Sequence, residues 1–331
     1  MPAAEVMIGP APYRWEEIVF PDAPNDGWAH HGVAVLEEGT VLFARPDRAT
    51  LALFDNEGLM RSEVGTELTE MHKMTVVGQG ADRAVWVADN GHKYLPHQPR
   101  YLDFVRPGRV VLVGLDDGAV EGEIETPDQE VYERDAWSPC AVAVDEERLG
   151  GSGEIWVADG YGKSLLHRFT PGGELLETID GSQSGKVFDT PHDVVIDRRR
   201  TTPELYVADR SNGRVVVLGL GGEYLREFGA GVLTSPSGIA TSGELLLVTE
   251  LKGSVAVFDG ADELVARLGE AQHADSEAWP NALDDLGNTV RPPDLRSGHF
   301  NSPHGVATDA AGSIYVTEWL IGGRLVRLVP V

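Results

Sequence analysis

One short pattern recurs six times along the chain and constrains its fold more than any other feature. The copies begin at His31 (HGVAV), His72 (HKMTVV), Cys140 (CAVAVD), His192 (HDVVID), Ser237 (SGIAT) and His304 (HGVATD). Each is followed by a second β-rich run: TVLFAR, AVWVAD, EIWVAD, ELYVAD, ELLLVTE and SIYVTE. A repeat of about 40–65 residues, built from short strands and Gly-rich turns, reads as a β-propeller blade. Third runs (TLALFD, RVVLVGL, LLHRF, RVVVLGL, SVAVFD, RLVRLV) and fourth runs (MRSEVG, EGEIE, LLETID, YLREFG, LVARLG) follow, but the last repeat stops at Val331 with three. Tyr13–Phe20 (YRWEEIVF) is left over at the other end. It is expected to supply the missing strand and latch the ring, which removes two open sheet edges. The expected fold class is all-β, a six-bladed β-propeller forming a single domain over residues 1–331. No segment shows a sustained helical period.

Composition bounds the partners. Acidic residues number 53 against 27 basic ones, a formal charge of −26. Phosphate backbones and anionic membrane surfaces both need a basic face, so neither nucleic acid nor membrane is an expected partner. The single cysteine excludes an intrachain disulfide. No basic segment leads into an apolar core near the start, and no apolar run approaches the roughly 18 residues of a span. A cytoplasmic, soluble monomer acting on a small molecule or a peptide terminus is the expectation.

Every second copy of the pattern carries a histidine that places it in a ring. Six blades around one axis put His72, His192 and His304 about 120° apart. Three imidazoles converging on a channel leave an open coordination position, as catalytic zinc requires. Adjacent strands of a blade run antiparallel, so the end of the second run lies on the same face as the start of the first. Arg45 (FAR), Tyr161 (VADGY) and Arg210 (VADR) should therefore ring the mouth into which the histidines point. A metal acting as Lewis acid, arginines for a carboxylate and a phenol for proton transfer make a chemically coherent set. Neighbouring arginine and metal charge together should lower the tyrosine pKa from its usual value of about 10. The recurring Asp of VAD is read as bonding the backbone of its own turn. His31 and Cys140 head their copies and, with Asp193, are expected as substrate or channel contacts. Asn90–Arg109 and Glu270–Asn301 interrupt the repeat and read as long loops of lid or binding type. His92, His97, His273 and His299 lie in them and read as ordinary exposed histidines.

These residues carry a resemblance. The chain is similar to the NHL-repeat propellers and, within them, to the peptidyl-α-hydroxyglycine α-amidating lyases. The most specific stretches are TPHDVVID with ELYVADRSNGRVVVL, SPHGVATDAAGSIYVTE, and EIWVADGYGKSLLHRF. The resemblance implies zinc (Zn2+) on His72, His192 and His304, a catalytic Tyr161, and substrate-binding Arg45 and Arg210. It implies cleavage of an α-hydroxyglycine-like carbinolamine, or a related α-hydroxy acid, to amide and glyoxylate. Cysteines of the animal enzymes are replaced here by Gly162 and Ser211. The family's structural calcium (Ca2+) uses an Asp after the last zinc histidine; Gly305 stands there, and Asp193 is the substitute available. Another divalent transition metal is equally compatible with three imidazoles. Three alternatives stay open: a propeller hydrolase or hydratase, a calcium-dependent lactonase of the gluconolactonase type, and a non-catalytic NHL interaction module.

Overall fold

The second run of every repeat forms a deeply buried strand of its sheet. Val41–Ala44, Ile155–Asp159 and Ile314–Glu318 are buried along their whole length. Their Val, Ile, Leu and aromatic content suits a pleated surface covered on both sides. Burial of each such side chain contributes about 1.5–3 kcal/mol. The computed structural model describes residues 4–19, 26–36, 38–97, 100–133, 137–269 and 274–331. The protein is all-β, a six-bladed propeller, and the described residues contain no α-helix.

Blade 1 comprises Val33–Val35, Val41–Ala44, Thr50–Phe54 and Met60–Gly65. Blade 2 comprises Met71–Val77, Ala84–Asp89, Arg109–Gly114 and Val120–Ile124; blade 3, Ala141–Val144, Ile155–Asp159, Leu165–Phe169 and Leu175–Ile179. Blade 4 comprises Pro191–Asp197, Glu204–Asp209, Arg214–Gly219 and Tyr224–Phe228; blade 5, Pro236–Ser242, Leu245–Glu250, Ser254–Phe258 and Leu264–Leu268. Blade 6 contributes Pro303–Thr308, Ile314–Glu318 and Arg324–Pro330. Ala11–Ile18 closes it, running antiparallel to Arg324–Pro330 with Tyr13 opposite Pro330 and Ile18 opposite Leu325. The latch starts two residues earlier than the sequence suggested, and Phe20 lies outside the described residues. A further strand, Glu5–Ile8, folds back on it and makes this sheet five-stranded.

The chain forms two compact units. One (Val64–His92, Arg106–Ile239) carries blades 2, 3 and 4, whose first strands pack side by side. Its core interleaves Trp86, Val110, Val142, Val157 and Phe169, then Trp156, Leu166, Leu205 and Val207. The other (Met1–Glu63, Lys93–Val105, Ala240–Val331) carries blades 5, 6 and 1. There Leu247, Val257, Val306, Val316 and Trp15 form one cluster, and Phe43, Phe54, Tyr315 and Leu325 another.

The first interruption of the repeat is not a loop. His92–His97 and Arg100–Val105 pair as a β-hairpin, since alternating KYL and RYL side chains favour strand. The second holds one small pairing, Ala282–Leu283 with Thr289–Val290, and its His273 lies outside the described residues. No described helix is long and apolar enough to cross a membrane.

Candidate functional site

Two local devices aim the strand-heading histidines. The first is a β-bulge. The register of blade 2 passes from Met71 to Lys73, that of blade 4 from Pro191 to Asp193, and that of blade 6 from Pro303 to Gly305. His72, His192 and His304 are the extra residues, and a bulge re-aims the side chain it carries. The second is the acidic residue ending each second strand. Asp89 accepts the amides of Thr69 and Glu70 at 2.8 and 2.9 Å, just ahead of His72. Asp209 takes the amide of Asp189 at 2.8 Å, ahead of His192, and Glu318 that of Ser302 at 2.8 Å, ahead of His304. The recurring carboxylate thus clamps the lead-in to its own blade's first strand, and Asp89 also accepts the amide of Gly91 in the turn after it at 3.0 Å.

In the unit of blades 2–4, four predicted residues come together. His72 Nδ1 lies 2.6 Å from the carbonyl oxygen of Cys140, and His192 Nδ1 lies 2.6 Å from that of Ser237. A carbonyl only accepts, so each Nδ1 carries the hydrogen and each Nε2 keeps its lone pair. Burial drives the His72 pKa down to about 3, which keeps the ring neutral. The Tyr161 hydroxyl donates to His192 Nε2 at 2.7 Å and lies 3.4 Å from His72 Nε2. Arg210 Nη1 donates to the same phenol oxygen at 3.2 Å, with its guanidinium 5.2 Å from the ring centroid. Burial pushes the Tyr161 pKa up to about 12, and the Arg210 guanidinium opposes this.

The turn that presents Tyr161 tolerates no side chains beside it. A Cβ at Gly160 would lie 2.4 Å from Pro191 O, and one at Gly162 would lie 2.2 Å from an Asp159 carboxylate oxygen. Arg210 opens a 3-10 turn tied to the lead-in of blade 4 through its amide and Thr190 O at 3.1 Å. Cys140 is buried, its thiol donating to Pro191 O at 3.2 Å, and burial raises its pKa to about 12. It is a lining thiol whose carbonyl orients His72. Asp193 is ion-paired with Lys73.

In the unit of blades 5, 6 and 1, His304 packs against His30, with ring centroids 4.7 Å apart. His30 was missed in the sequence because it stands beside His31, the apparent strand head; the doubled histidine was the only signal. His31 itself is 1% exposed, and neither ring nitrogen has a hydrogen-bond partner among the described residues. Burial takes its pKa to about 3. An aromatic group continues from His30: Trp319 at 6.0 Å, then Trp28 at 6.0 Å from Trp319. Tyr94 of the hairpin lies 4.9 Å from Trp28, and Trp279 lies 5.9 Å from Trp319. Arg45 is 1% exposed, and its guanidinium is held by Asp47 at 2.9 Å and Glu63 at 2.7 Å.

No protein-family model matches the chain. Among solved structures, a streptogramin B lyase is similar over 96% of this chain and 98% of its own, at 14% identity and a TM-score of 0.58. Virginiamycin B lyase from Staphylococcus aureus matches 96% of this chain and 100% of its own, at 13% identity and a TM-score of 0.57. A structural-genomics protein of unknown function from Bacteroides thetaiotaomicron reaches a TM-score of 0.64 at 14% identity, over 99% of this chain and 76% of its own. At these identities what is shared is the propeller fold.

Proposed function

We propose that the chain is a metal-dependent lyase that cleaves an α-hydroxyglycine-like carbinolamine to an amide and glyoxylate. The ion, zinc or another divalent transition metal, would be held by the three strand-heading histidines His72, His192 and His304. One observation carries this reading: His72 and His192 are fixed in the same tautomer by main-chain carbonyls and turn their Nε2 lone pairs to one phenol. Neutral, carbonyl-anchored imidazoles are the form in which histidine ligates metals. When bound, the ion supplies Lewis-acid stabilisation of developing negative charge on a substrate oxygen.

The remaining chemistry falls to the protein. In the reaction the α-hydroxyl loses its proton, the carbon–oxygen double bond forms, the carbon–nitrogen bond breaks, and the departing amide nitrogen gains a proton. Tyr161 carries that proton between the two atoms. Burial favours the neutral phenol and so the return of the proton, while Arg210 steadies the charged form in which Tyr161 can take one. Arg210 also offers the guanidinium for the substrate carboxylate. Arg45 would serve there only by releasing Asp47 and Glu63. The test is a metal-defined screen on α-hydroxyhippurate, following glyoxylate release. Turnover that chelation abolishes and zinc or cobalt restores is the expected result. Metal-independent turnover, or none with any divalent ion, rejects the reading.

A further inference from the structure

The residue after each bulged histidine differs from blade to blade: Lys73, Asp193 and Gly305. Lys73 Nζ meets Asp193 Oδ2 at 2.7 Å. The Asp193 side chain is 2% exposed, and it also accepts the amides of Val194 at 2.8 Å and Ile239 at 2.7 Å. One ammonium and two N–H donors therefore surround the carboxylate. Calcium needs six to eight oxygen ligands, and here the available oxygens are already directed at donors. At Gly305 an added Cβ would lie 2.7 Å from Thr317 Oγ1, so a carboxylate side chain has no room there unless Thr317 moves. These residues do not fit the calcium that the amidating-lyase resemblance implies.

We propose that the Lys73 ammonium is a built-in cation that replaces such a calcium, tying blade 2 to blade 4 and acting with Asp193 to position His72 and His192. The tie joins residues 120 apart in sequence, each directly following a candidate ligand. Both ends sit at bulges, where the ladder is locally interrupted and the strand is freest to shift. An ion pair this buried offsets its desolvation only in a strict geometry, and that strictness is passed to the adjoining imidazoles. The claim about histidine placement rests on the metal reading above; the claim about the cation does not.

The test uses the full chain. The wild-type melting temperature should be the same in EGTA as in millimolar calcium, and the desalted protein should carry no stoichiometric calcium. Stoichiometric calcium, or a melting temperature raised by it, overturns the replacement. Cobalt titration followed by visible absorption reads positioning. Lys73→Met should weaken cobalt binding by about 10–100-fold, as loss of outer-shell partners does, and Lys73→Arg should recover most of it. The double variant Lys73→Met/Asp193→Leu buries no lone charge, so it guards against simple unfolding, and its cobalt affinity should also stay weak. Wild-type cobalt affinity in either Met-bearing variant overturns the positioning role. If the wild-type protein takes up no cobalt, the metal reading fails by itself. The tie is then judged by hydrogen exchange at the Ile239 amide: several-fold faster exchange in Lys73→Met supports it, and unchanged exchange overturns it.

Discussion

His72 and His31 head neighbouring repeats, are equally buried, and are both held neutral by desolvation, with pKa values near 3. Yet they differ in what fixes them. His72 is a bulge residue whose Nδ1 is anchored to Cys140 O, leaving Nε2 directed at Tyr161. His31 precedes the regular strand Val33–Val35, and its ring finds no hydrogen-bond partner among the described residues. Burial alone makes a neutral imidazole; the bulge, which His72 shares with His192 and His304, marks a candidate ligand, and for His72 and His192 a carbonyl fixes the ring as well. Heading a repeat is therefore not enough.

The sharpest way to break this contrast is metal content. His72→Ala and His192→Ala should each reduce bound transition metal from about one ion per chain towards none, because an incomplete imidazole set binds weakly. His31→Ala should leave it in place. Atomic absorption on protein purified without chelator decides it. Equal loss in all three variants would erase the distinction between anchored and unanchored rings.

Next in size is Tyr161→Phe. The ring still packs between His72 and His192, but the hydroxyl that donates to His192 and accepts from Arg210 is gone. The loss should fall on kcat, on the order of 10²–10⁴-fold. Stopped or steady-state kinetics on the substrate that passes the screen provide the check, and a fully active variant removes Tyr161 from the proton path.

Arginine offers a second contrast of the same kind. Arg210→Ala should raise KM with little change in melting temperature, since its contact is with a phenol and a prospective carboxylate. Arg45→Ala should act the other way. It leaves Asp47 and Glu63 short of a buried partner, at a cost of about 3 kcal/mol, the low end for a broken buried pair because Arg48 still faces both. Chemical denaturation and kinetics on both variants separate the roles. An Arg45→Ala protein that is stable but weak in substrate binding would return Arg45 to the substrate.

The repeat made the blades, the latch and the strand-heading histidines legible, because two-residue alternation and turn chemistry are local properties. What stayed hidden was set by distant chain. Glu63 lies 18 residues from Arg45 and Asp193 lies 120 from Lys73, so neither ion pair has a sequence signature. His30 was masked by His31 because a bulge or turn shifts the aim of a side chain by one residue without altering composition. The hairpin in 92–105 was hidden by Pro96 and Pro99, which argue for loop even though KYL and RYL alternate. The depth of burial that raises the Tyr161 pKa is hidden in the same way, whereas Arg210, which lowers it, can be read from the pattern.

The smallest predicted effect isolates His31 through its pH dependence. Its folded pKa of about 3 lies below the ordinary 6.5, so between these values the unfolded chain binds a proton that the folded chain refuses. Stability is then full above about pH 6.5 and falls on acidification, by about 1.36 kcal/mol per pH unit for one such group. His31→Leu removes this proton and also two ring nitrogens with no hydrogen bond, replacing them with an apolar side chain of similar size. At pH 7 the two proteins should differ by less than about 1.5 kcal/mol, as for other near-isosteric core changes. At pH 5 the variant should have gained about 2 kcal/mol on the wild type, the product of 1.5 pH units and that slope. His72 and His167, which burial also holds neutral, are present in both proteins and cancel in the difference. Urea denaturation at the two pH values measures it. Parallel pH dependences would mean that His31 takes up its proton in the folded state, and that its ring has a partner the anchored histidines do not need.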